Sequence, residues 1–245
     1  MTYPINYPTP QDCDVQIFYG LPGRAGSGPV PSFGWVKPKG ASFVWFTLIG
    51  AGGRGGDSGD FSGGGAGSGG VTNCLMPAFL VPDELRVSLN DGAGSGSNDT
   101  RILYQGPQAS AGYLLLRAGG GNPGSDGAAG TGGEAVARSA FAAAGLYQSI
   151  AGQAGQNGVS VTASATTFLS GGTNGSQTVT PNYGYPTGTQ AFPSGFFQMS
   201  PIIVGRGGGG GPGDTANGGV GCGGGGANAG FGAAGGAGMA VIISW

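Results

Sequence analysis

The stretch "FVWFTLIGAGGRGGDSGD", Phe43–Asp60, decides how the chain is read. An apolar run from Phe43 to Ile49 passes directly into glycines, and Gly50, Gly52 and Gly55 spell G-x-G-x-x-G. In a dinucleotide-binding turn the third glycine opens a helix whose N-terminal N–H groups hold a pyrophosphate, and an acidic residue follows about 20 residues on. Neither condition is met. Gly55 is followed by "GDSGDFSGGGAGSGG", where each glycine costs a helix roughly 1 kcal/mol against alanine. "VTNCLM" stands where the acidic residue should be. The glycines therefore serve the backbone rather than a nucleotide.

Ser42–Ile49 leaves no polar face, which predicts a strand covered on both sides. A second fully apolar strand, "MAVIISW" (Met239–Trp245), closes the sequence. Between them the rule is apolar strand, then glycine tract. Leu85–Leu89, Ile102–Tyr104 and Tyr113–Arg117 read as short strands, Val159–Leu169 alternates, and Ile202–Val204 introduces the longest tract, Gly205–Gly238. Val15–Tyr19 is a further strand, and only Glu134–Gly145 has helix-forming composition. The expected fold is all-β. Residues 33–245 form a single glycine-rich β-sandwich-like domain with extended polyglycine or polyproline-II-like tracts and little or no helix. Ser42–Ile49 and Met239–Trp245 are its neighbouring core strands. Residues 1–32 are expected to be an extended N-terminal arm and loop, because Pro4, Pro8 and Pro10 exclude a helix and Gly20–Trp35 is dense in turn residues.

Composition sets the problem the tracts pose. The chain has 245 residues, of which 60 are glycine, and only 8% are charged; ordinary domains carry about 7% glycine and about 25% charge. Glycine at this level without a period suggests disorder, but apolar segments run from end to end with 12 Phe, 8 Tyr and 3 Trp. In Gly205–Gly238 the 19 glycines sort by position modulo three as 5, 8 and 6, so collagen's every-third rule fails. Two readings stay open. Either extended backbones lie side by side and bond laterally, a rigid β frame offsetting the entropy cost, or the tracts are loose loops.

Several function classes fall away. A net charge of −2 without a basic cluster gives no footprint for nucleic acid. No apolar stretch approaches 18 residues, so no membrane insertion is expected, and "MTYPINYPTPQDC" has no signal-peptide pattern. Cys13, Cys74 and Cys222 are odd in number and far apart, which predicts reduced residues, and without histidine there is no zinc set. No cofactor, metal or catalytic residue is expected. Asp12/Asp14 and Asp57/Asp60 lie among turn residues, Asp83–Glu84 precedes a strand, and no carboxylate pair sits in an apolar context. An enzyme is not the expectation. An ice-binding protein would need a regular three-residue repeat on a flat face, and the phase count does not supply one.

At this point "FGWVKPKGASFVWFTLIGAGGRGG" (Phe33–Gly56) resembles the start of the glycine-rich domains of bacteriophage tail fibres and virion appendages. Trp35, Pro38 and Gly40 match that family's Trp-x-x-Pro-x-Gly element, and Ile49–Gly53 matches its strand end. "GGAGMAVIISW" (Gly235–Trp245) is similar to its close, and "GGTNGS" and "GTGGEA" look like its internal turns. The tracts here are shorter and less regular than in distal adhesins of similar composition. The resemblance spans Phe33 to Trp245. It implies a non-enzymatic structural protein of the virion exterior, synthesised in the host cytoplasm: a fibre or appendage component contributing to host attachment, or alternatively a capsid decoration, cement or head-fibre protein. Expected partners are other virion proteins, further copies in a homo-oligomer (most simply a trimer), and a host surface glycan or protein.

Two contact sites are expected. Gly171–Ser200 interrupts the strand-and-tract rule, carries no charge, and sets Tyr183, Tyr185 and Phe192 among Pro181, Pro186 and Pro193. Prolines stiffen such a segment and lower the entropy lost on binding, and aromatics can stack on sugar or protein. Phe192, Phe196 and Phe197 have the alternative of packing on the sheet. The second is the arm bearing Tyr3 and Tyr7, expected to tie the protein to another virion component.

Overall fold

The computed structural model describes residues 13–20, 32–57, 63–90, 92, 98–105, 112–155, 211–212, 218, 220–229 and 231–245. Its strands, in chain order, are β1 (Asp14–Tyr19), β2 (Ser32–Val36), β3 (Phe43–Ile49), β4 (Val71–Pro77), β5 (Glu84–Ser88), β6 (Thr100–Tyr104), β7 (Tyr113–Ala118), β8 (Leu146–Ile150), β9 (Gly211–Pro212), β10 (Ala227–Ala229) and β11 (Met239–Ser244). Short 3-10 turns occupy Ala78–Leu80 and Phe141–Ala144. The chain is all-β.

Two antiparallel sheets form a sandwich. One is five-stranded in the order β1-β11-β3-β4-β8 and the other four-stranded in the order β2-β5-β6-β7. The two fully apolar strands are neighbours, as expected, with Trp45 opposite Ile243 and Phe46 opposite Ile242. Alternation explains why they need two apolar faces. Val44, Phe46 and Leu48 with Cys74, Met76, Ala240 and Ile242 face Trp35, Leu85, Val87, Ile102 and Leu116 of the other sheet. Trp45, Ile49, Val71, Val241 and Ile243 form a second cluster on the outer face with Cys222. Each large side chain so buried stabilises the fold by roughly 1.5–3 kcal/mol.

The sequence reading needs correction at three strands, β2, β4 and β8, and Val15–Tyr19, rightly read as a strand, has a different place from the one expected. Ser32–Val36, taken as the end of a loop, is β2, because burying Trp35 edge-on to Phe46 (6.2 Å, 64°) outweighs the turn residues around it. Asp14–Tyr19, placed within the arm-and-loop region 1–32, is an edge strand of the sandwich paired with β11 along its whole length. Val71–Pro77 and Leu146–Ile150 were not expected to be strands. Of Glu134–Gly145, only Phe141–Ala144 is helical, and only as a 3-10 turn.

The glycine tracts continue the sheet. Ile49 faces Val71 in the β3–β4 pair, and with the same offset Gly50, Gly53 and Gly56 donate to Gly70, Gly67 and Gly64. Ile49 faces Met239 across the β3–β11 pair, and in that register Gly52 and Gly55 donate to Gly236 and Ala233. The β4–β8 register carries on from Val71–Ile150 to Ser68 N–H bonding Gln153 O. The β1–β11 register ends with Gly20 N–H on Gly238 O. What changes is the period: neighbours recur every third residue, as a backbone with three residues per turn requires.

Such a backbone points its groups three ways, so single-layer pairing gives way to a bundle. Segment 50–57 bonds 63–70 and 231–238 within the layer of the five-stranded sheet. It also accepts from Gly121 and Gly124 at Ala51 and Arg54, below, and from Gly224 and Ala227 at Gly53 and Gly56, above. Segment 63–70 similarly donates to Ser125, Asn122 and Gly119 on one side and to Ala227, Gly224 and Gly221 on the other. Segment 221–227 lies over the outer face, because Cys222 packs there. Side chains have no room between such layers: a Cβ built on Gly55 would lie 1.9 Å from Gly225 O.

Candidate contact sites at the two ends of the bundle

The register gives the molecule a long axis with distinguishable ends. At the base, β3 begins and β11 ends: Ser42 and Phe43 N–H both donate to Trp245 O (2.6 and 3.0 Å), and the Phe43 and Trp245 rings stack at 6.0 Å. β1 starts there too, with Asp14 opposite Ser244. Residues 1–12 therefore join the sandwich at the base. Tyr3 and Tyr7 themselves lie outside the described residues. The same end carries the Ala78–Leu80 turn, held by Ala78 N–H on Ser42 O and by Lys37 Nζ on Ala78 O and Val81 O (3.0 and 2.8 Å). Lys37 also pairs with Asp83 at 2.8 Å, so the acidic pair where β5 begins is partly structural.

At the other end the segments leave the sandwich and turn back. Arg54 is the hub of this distal end. Its guanidinium pairs with Asp57 (2.8 Å) and sits 5.9 Å from the centre of the Phe231 ring. Asp57 also accepts from Gly232 N–H (2.8 Å), which ties the first tract to the last. Asp57, read from sequence only as a carboxylate among turn residues, is thus a clip between segments. Phe231 is 78% exposed, an aromatic displayed on the bundle. Sequence reasoning did not single it out, although a lone ring inside a glycine tract was the available signal.

The chain leaves the described body at the distal end. Segment 151–155 runs outward from β8, Gly152 donating to Gly133 and Gly155 to Gly130. The chain re-enters at β9, which pairs with β10, and Ala227 of β10 bonds Gly56 and Gly63 beside the distal turn. Tyr183, Tyr185 and Phe192 lie outside the described residues, in the stretch that both of these distal points bracket.

Between the two ends, a polar joint locks bundle to sandwich. The Asp99 carboxylate, nearly buried, accepts from Arg101 (2.9 Å), Arg117 (3.4 Å) and Gly120 N–H (3.0 Å), and Arg117 also pairs with Glu134. Asn98 O receives Ala51 N–H, its side chain donates to Gly121 O at 2.8 Å, and Thr100 Oγ1 donates to Ile49 O at 2.6 Å. The four-stranded sheet is thereby fastened to the glycine segments that begin at Gly50 and Gly119. None of the three cysteines is in a disulfide. Burial pushes the Cys74 thiol up to about 12, with Arg138 opposing slightly, and burial also raises Tyr147. Both hold their protons in the neutral range. Among the described residues no three Cys, Asp or Glu side chains converge as a metal site would require.

No protein-family model matches the chain, and no curated protein matches it.

Proposed function

We propose that this chain is a non-enzymatic structural protein of a bacteriophage exterior, a fibre or appendage component that contributes to host attachment. The observation that carries the reading is polarity. A laterally bonded bundle, in register with a sandwich, separates the base, where β1 starts at Asp14, from the distal end, where the described chain breaks off at Gly155 and resumes at Gly211. An appendage needs that division: one end to hold the particle, a stiff spacer, and one end to meet a surface. The resemblance of Phe33–Gly56 and Gly235–Trp245 to phage glycine-rich domains supplies the setting. Rigid aromatics among small polar residues suit recognition of a glycan or protein surface, and low charge leaves recognition to rings and backbone groups. In this reading the arm with Tyr3 and Tyr7 ties the base to another virion protein, and copies associate as a homo-oligomer.

The test is a particle carrying Tyr183→Ala and Tyr185→Ala together, assayed separately for assembly and for adsorption to host cells. Normal assembly with lost adsorption supports attachment. Lost assembly points instead to a capsid decoration or joint, and no change in either removes the proposal.

A further inference from the structure

The two long sides of the sandwich are finished differently. On the β8/β7 side, residues 134–139 form a strap between the sheets. Val136 N–H bonds Ser149 Oγ (2.9 Å), Tyr147 Oη bonds Val136 O (2.8 Å), and Ser139 Oγ bonds Leu115 O (2.6 Å). On the β1/β2 side Phe18 packs its ring against Phe33 at 5.8 Å. Among the described residues β1 has a single neighbour, β11, so its outer row of N–H and C=O groups faces away from the sheet. Edge strands are usually blunted by lysine, proline or a bulge. "DVQIFY" has none of these, and its pairing with β11 runs without a bulge. Val15, Ile17 and Tyr19 are 46%, 50% and 53% exposed on the face that continues the buried Met239, Val241 and Ile243.

We infer that this edge is a homodimer interface, in which β1 pairs antiparallel with β1 of a second copy about a two-fold axis through Ile17. The occupant follows from self-complementarity. Residues opposite each other in an antiparallel pair share a face, so keeping the apolar stripe continuous sets odd-numbered residues against odd-numbered ones. Centring on Ile17 places it opposite Ile17 of the partner subunit and Val15 opposite Tyr19 of the partner subunit. All three exposed apolar residues are then paired, as β-branched and aromatic cross-strand contacts that stabilise sheets. Asp14 falls opposite Gly20 of the partner subunit, so no like charges meet. Centring on Gln16 would instead set the Asp14 carboxylate against Phe18 of the partner subunit, which its own chain packs on Phe33. The result is a ten-stranded sheet with an isologous contact. The bundles point in opposite directions, so each pole carries one base and one distal end. One pole can be held while the other displays a contact stretch, and the pairing stands independently of the particle role.

The test uses the full chain. Sedimentation at micromolar concentration should give a dimer for the parent and a monomer for Ile17→Lys, which sets two ammonium groups together at the axis, with an unchanged far-UV spectrum. In a Cys13→Ser background, Ile17→Cys should form an intermolecular disulfide under diamide, whereas Val15→Cys should not. Its two copies would lie about 13 Å apart along the strands, beyond the roughly 7 Å limit of a disulfide. A monomeric or trimeric parent overturns the inference. So does a dimer that survives Ile17→Lys, or one in which Val15→Cys cross-links and Ile17→Cys does not.

Discussion

Gly55→Ala tests what the glycines do. The new Cβ would sit 1.9 Å from Gly225 O and 2.4 Å from its carbonyl carbon. A carbon–oxygen contact needs about 3.3 Å, so segment 221–227 must retreat by about 1.4 Å. Gly225 O accepts from Ala233 N–H (2.9 Å), and its neighbours Gly224 and Ala227 donate to Gly53 and Gly56 (both 3.0 Å). Three buried bonds are thereby stretched or broken, each worth about 1 kcal/mol and more if a partner stays unsatisfied. Alanine's smaller unfolded-state entropy returns only about 0.4–1 kcal/mol. The net expectation is a loss of roughly 2–3 kcal/mol, or about 4–12 °C in melting temperature for a chain of this size. Two other glycines calibrate it. A Cβ on Gly34 meets nothing within 4 Å, so Gly34→Ala should be nearly neutral. Gly40 also has open space but φ +86, so its alanine should cost about 1–2 kcal/mol from backbone strain alone. Chemical denaturation of the three variants side by side reads the order directly. If Gly55→Ala is no worse than Gly34→Ala, close backbone approach is not what holds the tracts.

Further outcomes follow from the core, the joint and the thiol. Ile242→Ala, at a fully buried position between the sheets, should cost about 2–5 kcal/mol in the same denaturation assay. Asp99→Asn removes the charge that Arg101, Arg117 and Gly120 N–H share, and should cost about 1–3 kcal/mol while leaving the far-UV spectrum unchanged. The Cys74 thiol, raised from 9.0 to about 12, favours the folded state fully below pH 9, and that contribution is lost as pH rises towards 12. Relative to Cys74→Ala, the parent should therefore lose on the order of 4 kcal/mol across that window, and its thiol should resist aromatic disulfide reagents at pH 8 until unfolding.

What the sequence made legible is what local pattern can encode. Phe43–Ile49 and Met239–Ser244 had no polar face, so both coverage and burial could be read from them. β4 was missed because Thr72 and Asn73 break its apolar run. Their hydroxyl and amide groups are satisfied by Arg117 O (2.8 Å) and Thr47 Oγ1 (2.9 Å), partners distant in sequence. β2 was hidden by Gly34 and by the prolines before it, and only the core slot for Trp35 reveals it. The phase count excluded collagen but could not by itself point to the bundle. A segment in a bundle meets a different backbone on each of its three faces, so glycine is needed in every phase, unlike collagen with its single crowded axis. The clip of Arg54, Asp57 and Phe231 joins positions far apart in the chain, and no spacing rule connects them.

The central claim is that the sheet register continues into the tracts as lateral hydrogen bonds with a three-residue period. Through-bond NMR couplings across hydrogen bonds, measured on uniformly labelled protein, test it most directly. The account predicts couplings from the amide nitrogens of Gly50, Gly53 and Gly56 to the carbonyl carbons of Gly70, Gly67 and Gly64. It also predicts couplings from Gly52 and Gly55 to Gly236 and Ala233, with these amides exchanging as slowly as those of β3. Missing couplings together with tract amides that exchange at the rate of an open glycine linker would contradict it.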